Sequence, residues 1–198
     1  MSTLQPSAPV GTSQAEVRTN ALRVGSRLML GANVSVQLSF LFAYLYLRAS
    51  NNNGMWRPMG VDAPPIALAV VSLLLTLAAF AAAWLCASAL VRRPERAATG
   101  LLGGAVLVSL VCLVVRLIQL THLGWTPAQG AYVDVSILWF FVIAAEVFVG
   151  YLWLLKLAAG QWRGTVPATA MSVRAAAEYW AFLAALAIGV FLLVQFVT

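Results

Sequence analysis

Val135 to Leu155 reads VSILWFFVIAAEVFVGYLWLL, twenty-one residues in which Glu146 is the sole charge. An α-helix rises about 1.5 Å per residue and the hydrocarbon core of a bilayer is about 30 Å thick, so roughly 20 apolar residues cross it. The stretch has that length. It is also continuous rather than alternating, and about twice as long as the strand of a membrane barrel. Working outward, Leu28–Leu47, Ala63–Val91, Ala97–Val115 and Tyr179–Thr198 carry no charge at all. Charged residues are 9% of the 198-residue chain and hydrophobic residues 62%, against roughly 25% charged in an ordinary soluble domain. The sequence therefore predicts an all-α integral membrane bundle of five transmembrane helices. Residues 27–198 form a single domain, and 1–26 a flexible polar tail. Met1–Gln14 has no apolar core and is not read as a secretory signal peptide.

The net charge of +6 is a topology signal. Arg18, Arg23, Arg27, Arg92, Arg93, Arg96, Lys156, Arg163 and Arg174 fall on one side of the five crossings, whereas Arg48 and Arg57 fall on the other and Arg116 lies within a span. Basic loops stay in the cytoplasm, which predicts a cytoplasmic N-terminus and a C-terminus on the opposite face. Contact with anionic phospholipid headgroups is a secondary effect, and nucleic acid is not an expected partner.

Few residues in the chain could carry chemistry. His122 is the only histidine, so no bis-histidine haem site can form; it reads as an interfacial polar residue beside Trp125. Cys86 and Cys112 lie in apolar surroundings and read as packing residues. There is no phosphate loop, nucleophile elbow or metalloprotease helix, so no catalytic, cofactor or metal residues are expected in this chain. Ionisable groups inside a span are costly unless paired or hydrated. That singles out Arg116 and Glu146, with an ion pair between them as one arrangement, a protonated or water-contacting Glu146 as another, and a transport role as a third. Asp134 is a rival partner for Arg116, which could alternatively snorkel outward. Glu178 sits near the start of the last span, where it favours a helix N-terminus. Trp56, Trp125, Tyr132, Trp162, Tyr179 and Trp180 read as an interfacial aromatic belt. The small residues of Ala78–Ala89 and Gly100–Gly104 let helices approach closely.

The order of segments resembles subunit III of the haem-copper respiratory oxidases in its five-helix bacterial form, over roughly residues 28–198. Four segments carry the resemblance. The first span ends in Phe40-Leu41-Phe42-Ala43-Tyr44-Leu45-Tyr46-Leu47-Arg48. Trp56-Arg57-Pro58-Met59-Gly60 follows in the loop, Gly130-Ala131-Tyr132 precedes the fourth span, and Tyr179-Trp180-Ala181-Phe182 opens the last. Departures are systematic. The family's first-span carboxylate falls at Asn33, and its third-span Gln-x-x-Glu on Arg116-Leu117-Ile118-Gln119. Its fourth-span His-x-x-His falls on Ile143 and Glu146, and its last-span His and Asp on Ala181 and Ala184. Asn33, Arg116, Gln119 and Glu146 thus form a candidate buried polar network, one set of polar positions exchanged for another in a divergent member.

The resemblance implies an accessory, non-catalytic subunit of a terminal oxidase in the bacterial cytoplasmic (inner) membrane. Such a subunit packs against catalytic subunit I and other oxidase subunits, binds phospholipids and supports proton uptake and turnover in aerobic respiration. Haem and copper are expected in the catalytic partner, none in this chain. It further implies two helices plus three around a lipid cleft lined by the first, second and third spans. The alternatives are a small transporter or channel using Arg116 and Glu146, an accessory subunit of nitric oxide reductase, and an assembly factor.

Overall fold

A computed structural model describes residues 14–51, 56–92, 96–126, 129–164 and 168–196. Within them lie five helices: α1 (Gln14–Ser50), α2 (Ile66–Arg92), α3 (Arg96–Thr121), α4 (Ala131–Trp162) and α5 (Ala170–Phe196). All five are long and apolar enough to cross a membrane, and no strand occurs among the described residues. The chain is a multi-pass membrane protein.

Local sequence explains the helix ends. Pro64-Pro65 precedes α2, and the Pro65 carbonyl accepts from Ala69 N at 3.0 Å, using the proline where its missing N–H costs nothing. Thr169 and Ser172 cap α5 reciprocally. Ser172 N donates to Thr169 Oγ1 at 3.1 Å and Thr169 N to Ser172 Oγ at 3.0 Å, which satisfies backbone donors that the helix itself cannot. At the end of α4, Gly164 takes φ 63°, the left-handed conformation that ends a helix without a Cβ clash.

Two expected boundaries move. α1 begins at Gln14, not at residue 27. Ala15, Glu16, Arg18, Ala21, Leu22 and Arg23 are good helix formers with no proline among them, so the helix continues into water on propensity once the membrane part has nucleated it. The rest of the expected tail, residues 1–13, lies outside the described residues. α5 begins at Ala170, nine residues before Tyr179. That places Tyr179 about 14 Å inside the helix rather than at its mouth.

The helices assemble as a ring with one outrigger. α2 packs on α3 and α5, α3 on α4, and α4 on α5, while neither diagonal pair of the ring has its backbones in contact. α1 sits outside the ring against α4 and α5 and reaches neither α2 nor α3 among the described residues. The expected two-plus-three division around a cleft between the first two helices and the third is therefore not the arrangement found. The reason is compositional. The buried face of α2 is Ser72, Thr76, Ala79, Ala83, Cys86 and Ala87, small side chains at helical spacing that allow close approach to α3 and α5. α1 offers no such face toward α2. Its inward row is instead Ser26, Asn33, Gln37, Phe40 and Tyr44, which meets α4 and α5.

Within the ring, Trp180 and Tyr179 are fully buried against α4, where Gly150 leaves the room they occupy. At the end of the bundle opposite Arg23, Arg27, Arg92 and Arg174, a second apolar cluster gathers Tyr44, Trp56, Tyr132 and Trp139. Four of the six expected belt aromatics, Trp56, Tyr132, Tyr179 and Trp180, are thus core residues. Trp162 stays exposed, and Trp125 donates from Nε1 to the Asp62 carbonyl at 3.1 Å, pinning the α3–α4 connection to the α1–α2 connection. Cys86 and Cys112 are buried and not joined in a disulfide, as packing residues are.

Candidate functional site

Arg116 and Glu146 occupy different faces and different depths. Arg116 lies five residues from the end of α3 at Thr121, about 8 Å, whereas Glu146 lies fifteen residues into α4 from Ala131, about 22 Å from the same end of the bundle. Both are buried, at 8% and 7% exposure. No ion pair joins them; the one salt bridge among the described residues is Arg174–Glu178, an exposed pair one helical turn apart at 3.6 Å. The candidate network of Arg116, Gln119, Glu146 and Asn33 therefore resolves into two separate groups.

The first group belongs to the ring. Arg116 Nη1 donates to Gln119 Oε1 at 3.3 Å, three residues further along α3. Arg116 Nε is buried and has no partner. Beside them a small void is lined by all four ring helices, including Leu73 of α2, Phe140 of α4 and Val190 of α5. Across its rim Gln195 Nε2 donates to the Pro64 carbonyl at 3.2 Å, tying α5 to the start of α2. Asp134, the rival partner, is exposed on the far side of α4.

The second group lies between the ring and α1. Trp139 Nε1 donates to Gln37 Oε1, joining α4 to α1 in the middle of the bundle. Glu146 lies two turns beyond Trp139, with Gln37 as its electrostatic neighbour, and its Oε2 has no hydrogen-bond partner. Tyr179 OH donates to the backbone carbonyl of Glu146 at 3.0 Å, so α5 holds the same turn from the other side. Asn33 is half-buried on α1 one turn before Gln37. Sequence reasoning reached Asn33 but passed over Gln37 and Trp139. The signal was present, since Asn33 and Gln37 are two amides one turn apart in an uncharged span, a spacing that puts them on one face.

At the basic end, the Arg174 guanidinium carbon stands 4.4 Å from the centre of the Trp84 ring, a cation–π contact between α5 and α2. Glu178 lies eight residues inside α5, past the first turn, so instead of favouring the helix start as expected it pairs with Arg174. His122 is exposed, its Nδ1 2.9 Å from the Ile118 carbonyl, in keeping with an interfacial residue. Among the described residues no three His, Cys, Asp or Glu side chains converge as metal ligands.

The arrangement can bind an anion at Arg116, hold a proton or a water at Glu146, and dock helices through α1. No family model matches this chain, and no curated protein matches it. What the residues themselves assemble has to carry the functional reading.

Proposed function

We propose that the chain is an accessory, non-catalytic subunit of a haem-copper terminal oxidase in a bacterial cytoplasmic membrane. It would stabilise the catalytic subunit, which holds the haem and copper, and support its proton uptake. The observation that carries this reading is spatial. Three of the four sequence segments behind the resemblance, far apart in the chain, meet at one place. Tyr44 at the end of α1 packs edge-to-face on Trp56 with ring centroids 5.2 Å apart, and Trp56 on Tyr132 at 5.7 Å. Pro58 lies so close to Gly130 that a Cβ there would come within 3.3 Å of its ring. The fourth segment, opening at Tyr179-Trp180, fills the notch at Gly150. Residues that lie apart in sequence and interlock in space are those a shared fold requires, and their meeting supports the resemblance.

A second feature supports a packing role. The outward face of α1 exposes Leu38, Phe42, Leu45 and Tyr46. Beside them run Gly31, Ser35 and Ser39 at four-residue spacing, with the two hydroxyls bonded back to their own helix, the pattern that lets a neighbouring helix approach closely. The transporter alternative needs a polar path across the bundle. Arg116 and Glu146 instead sit at different depths on different faces, with the packed rings of Trp139 and Phe140 on the helix between them.

The test is purification of the tagged chain from its native membrane in a gentle detergent, followed by an absorption spectrum and identification of what accompanies it. The reading requires haem bands and a large multi-histidine membrane partner, whose ligands would also separate oxygen from nitric oxide chemistry. A colourless, solitary protein would refute it.

A further inference from the structure

Arg116 is a buried cation, and no acidic side chain among the described residues lies within its reach. Its acidic residues are Glu16, Asp62, Glu95, Asp134, Glu146 and Glu178. Glu178 pairs with Arg174. Asp62 and Asp134 are exposed and Glu146 lies about 15 Å deeper, and none of the three pairs with Arg116. Glu16 belongs to the first turn of α1, at the opposite end of the bundle from Arg116, and Glu95 lies outside the described residues. A guanidinium removed from water without a counter-charge carries a large desolvation penalty. Gln119 relieves one N–H through its neutral oxygen, and Nε remains without a partner.

From this geometry we propose that the void beside Arg116 and Gln119 holds a single halide-sized anion, chloride in physiological media. Size and charge both select it. The space admits a body no larger than a water molecule or a monatomic ion, so an organic carboxylate or a phosphate does not fit. One cation faces it, which matches one negative charge. The remaining walls, Leu73, Phe140, Val190 and Val194, are apolar and suit a weakly hydrated, polarisable ion. The Arg116 guanidinium and Gln119 both line the void and supply its polar wall. Because α3 and α5 do not touch through their backbones, an ion here fills the centre of the ring and ties its diagonal. The site does not depend on the oxidase-subunit reading.

The experiment follows the unfolding midpoint of the detergent-solubilised full chain by tryptophan fluorescence, titrating sodium chloride or bromide against sodium gluconate at constant ionic strength. Specific binding should raise the midpoint saturably, by about 5 °C at a hundredfold excess over the dissociation constant. Arg116→Gln should abolish the halide dependence, and Arg116→Lys should keep part of it. Equal midpoints in chloride and gluconate, which a water alone in the void would give, would overturn the proposal, as would an unchanged halide response in Arg116→Gln. Should Arg116→Gln fail to assemble, chlorine-35 NMR of the wild-type chain decides the matter. Excess line broadening displaced by bromide is the expected result, and no excess broadening refutes the site.

Discussion

Replacing Gly150 by alanine tests the packing at the heart of the ring. A Cβ built at Gly150 would stand 3.1 Å from a carbon of Trp180 and 3.1 Å from one of Tyr179, with a second Trp180 carbon at 3.2 Å. Ordinary carbon contacts are about 3.5–4.0 Å, so both rings must retreat by several tenths of an ångström. Neither is free to do so. Trp180 and Tyr179 are 0% and 1% exposed, and the Tyr179 hydroxyl is held by the Glu146 carbonyl. Overpacking of this kind costs about 1–3 kcal/mol. Alanine in place of glycine within a helix returns up to about 1 kcal/mol. Gly189 supplies the control: it lies inside α5, and a Cβ there meets nothing within 4 Å, so Gly189→Ala should gain the propensity term alone. The difference between the two variants isolates the overpacking cost. At roughly 2–4 °C per kcal/mol for a chain of this size it amounts to about 2–12 °C. Thermal unfolding of both variants side by side in one detergent reads it directly. If Gly150→Ala matches or exceeds Gly189→Ala in stability, the ring packing described for α4 and α5 is wrong.

Other perturbations follow from the same geometry. Arg116→Gln and Glu146→Gln should act additively within about 0.5 kcal/mol, since the two groups share no contact; a larger coupling in a double-mutant cycle would restore the ion pair that the structure separates. Gln37→Leu should cost about 0.5–2 kcal/mol by stranding Trp139 Nε1, and Trp139→Phe in the same chain should recover part of it, because hydrogen bonds between membrane helices average well under 1 kcal/mol. Glu178→Gln should be nearly silent, under about 0.5 kcal/mol, as exposed pairs are. Trp84→Leu should cost more than that by removing the cation–π contact as well as the ring's packing. Gly130→Ala should cost about 1–3 kcal/mol, because φ 122° is open to glycine alone and Pro58 stands over the position.

The number and placement of the spans were legible because they depend on composition over twenty residues at a time, which no tertiary contact overrides. Helix ends were less so. Residues 14–26 look like a tail by polarity, yet helix propensity and an already formed helix beyond them extend α1 outward. Tyr179 and Trp180 look like interfacial rings when the span is started at the first uncharged residue. The capping pair Thr169 and Ser172 starts it nine residues earlier and sends both rings into the core. Arg116 and Glu146 were found because charge in an apolar run is conspicuous. Their partners were not, because pairing depends on rotation about the helix axis. Gln37 escaped notice because a neutral amide is inconspicuous beside a charge, although its oxygen accepts from Trp139 Nε1 and so joins α1 to the ring. The grouping of helices was the least legible feature, since it turns on which small-residue face meets which.

The outrigger position of α1 has a consequence for biosynthesis. α1 is made before the other four helices, yet the two it docks on, α4 and α5, are made after α2 and α3. At about 5–20 residues per second, the ribosome needs on the order of ten seconds to pass from the end of α1 at Ser50 to the end of α4 at Trp162. Throughout that delay Asn33 and Gln37 face lipid or the insertion machinery, with Trp139 not yet available to satisfy the amide. The nascent chain therefore passes through a stage in which its first segment is stranded and adhesive, and orderly delivery of the final hairpin ends that exposure.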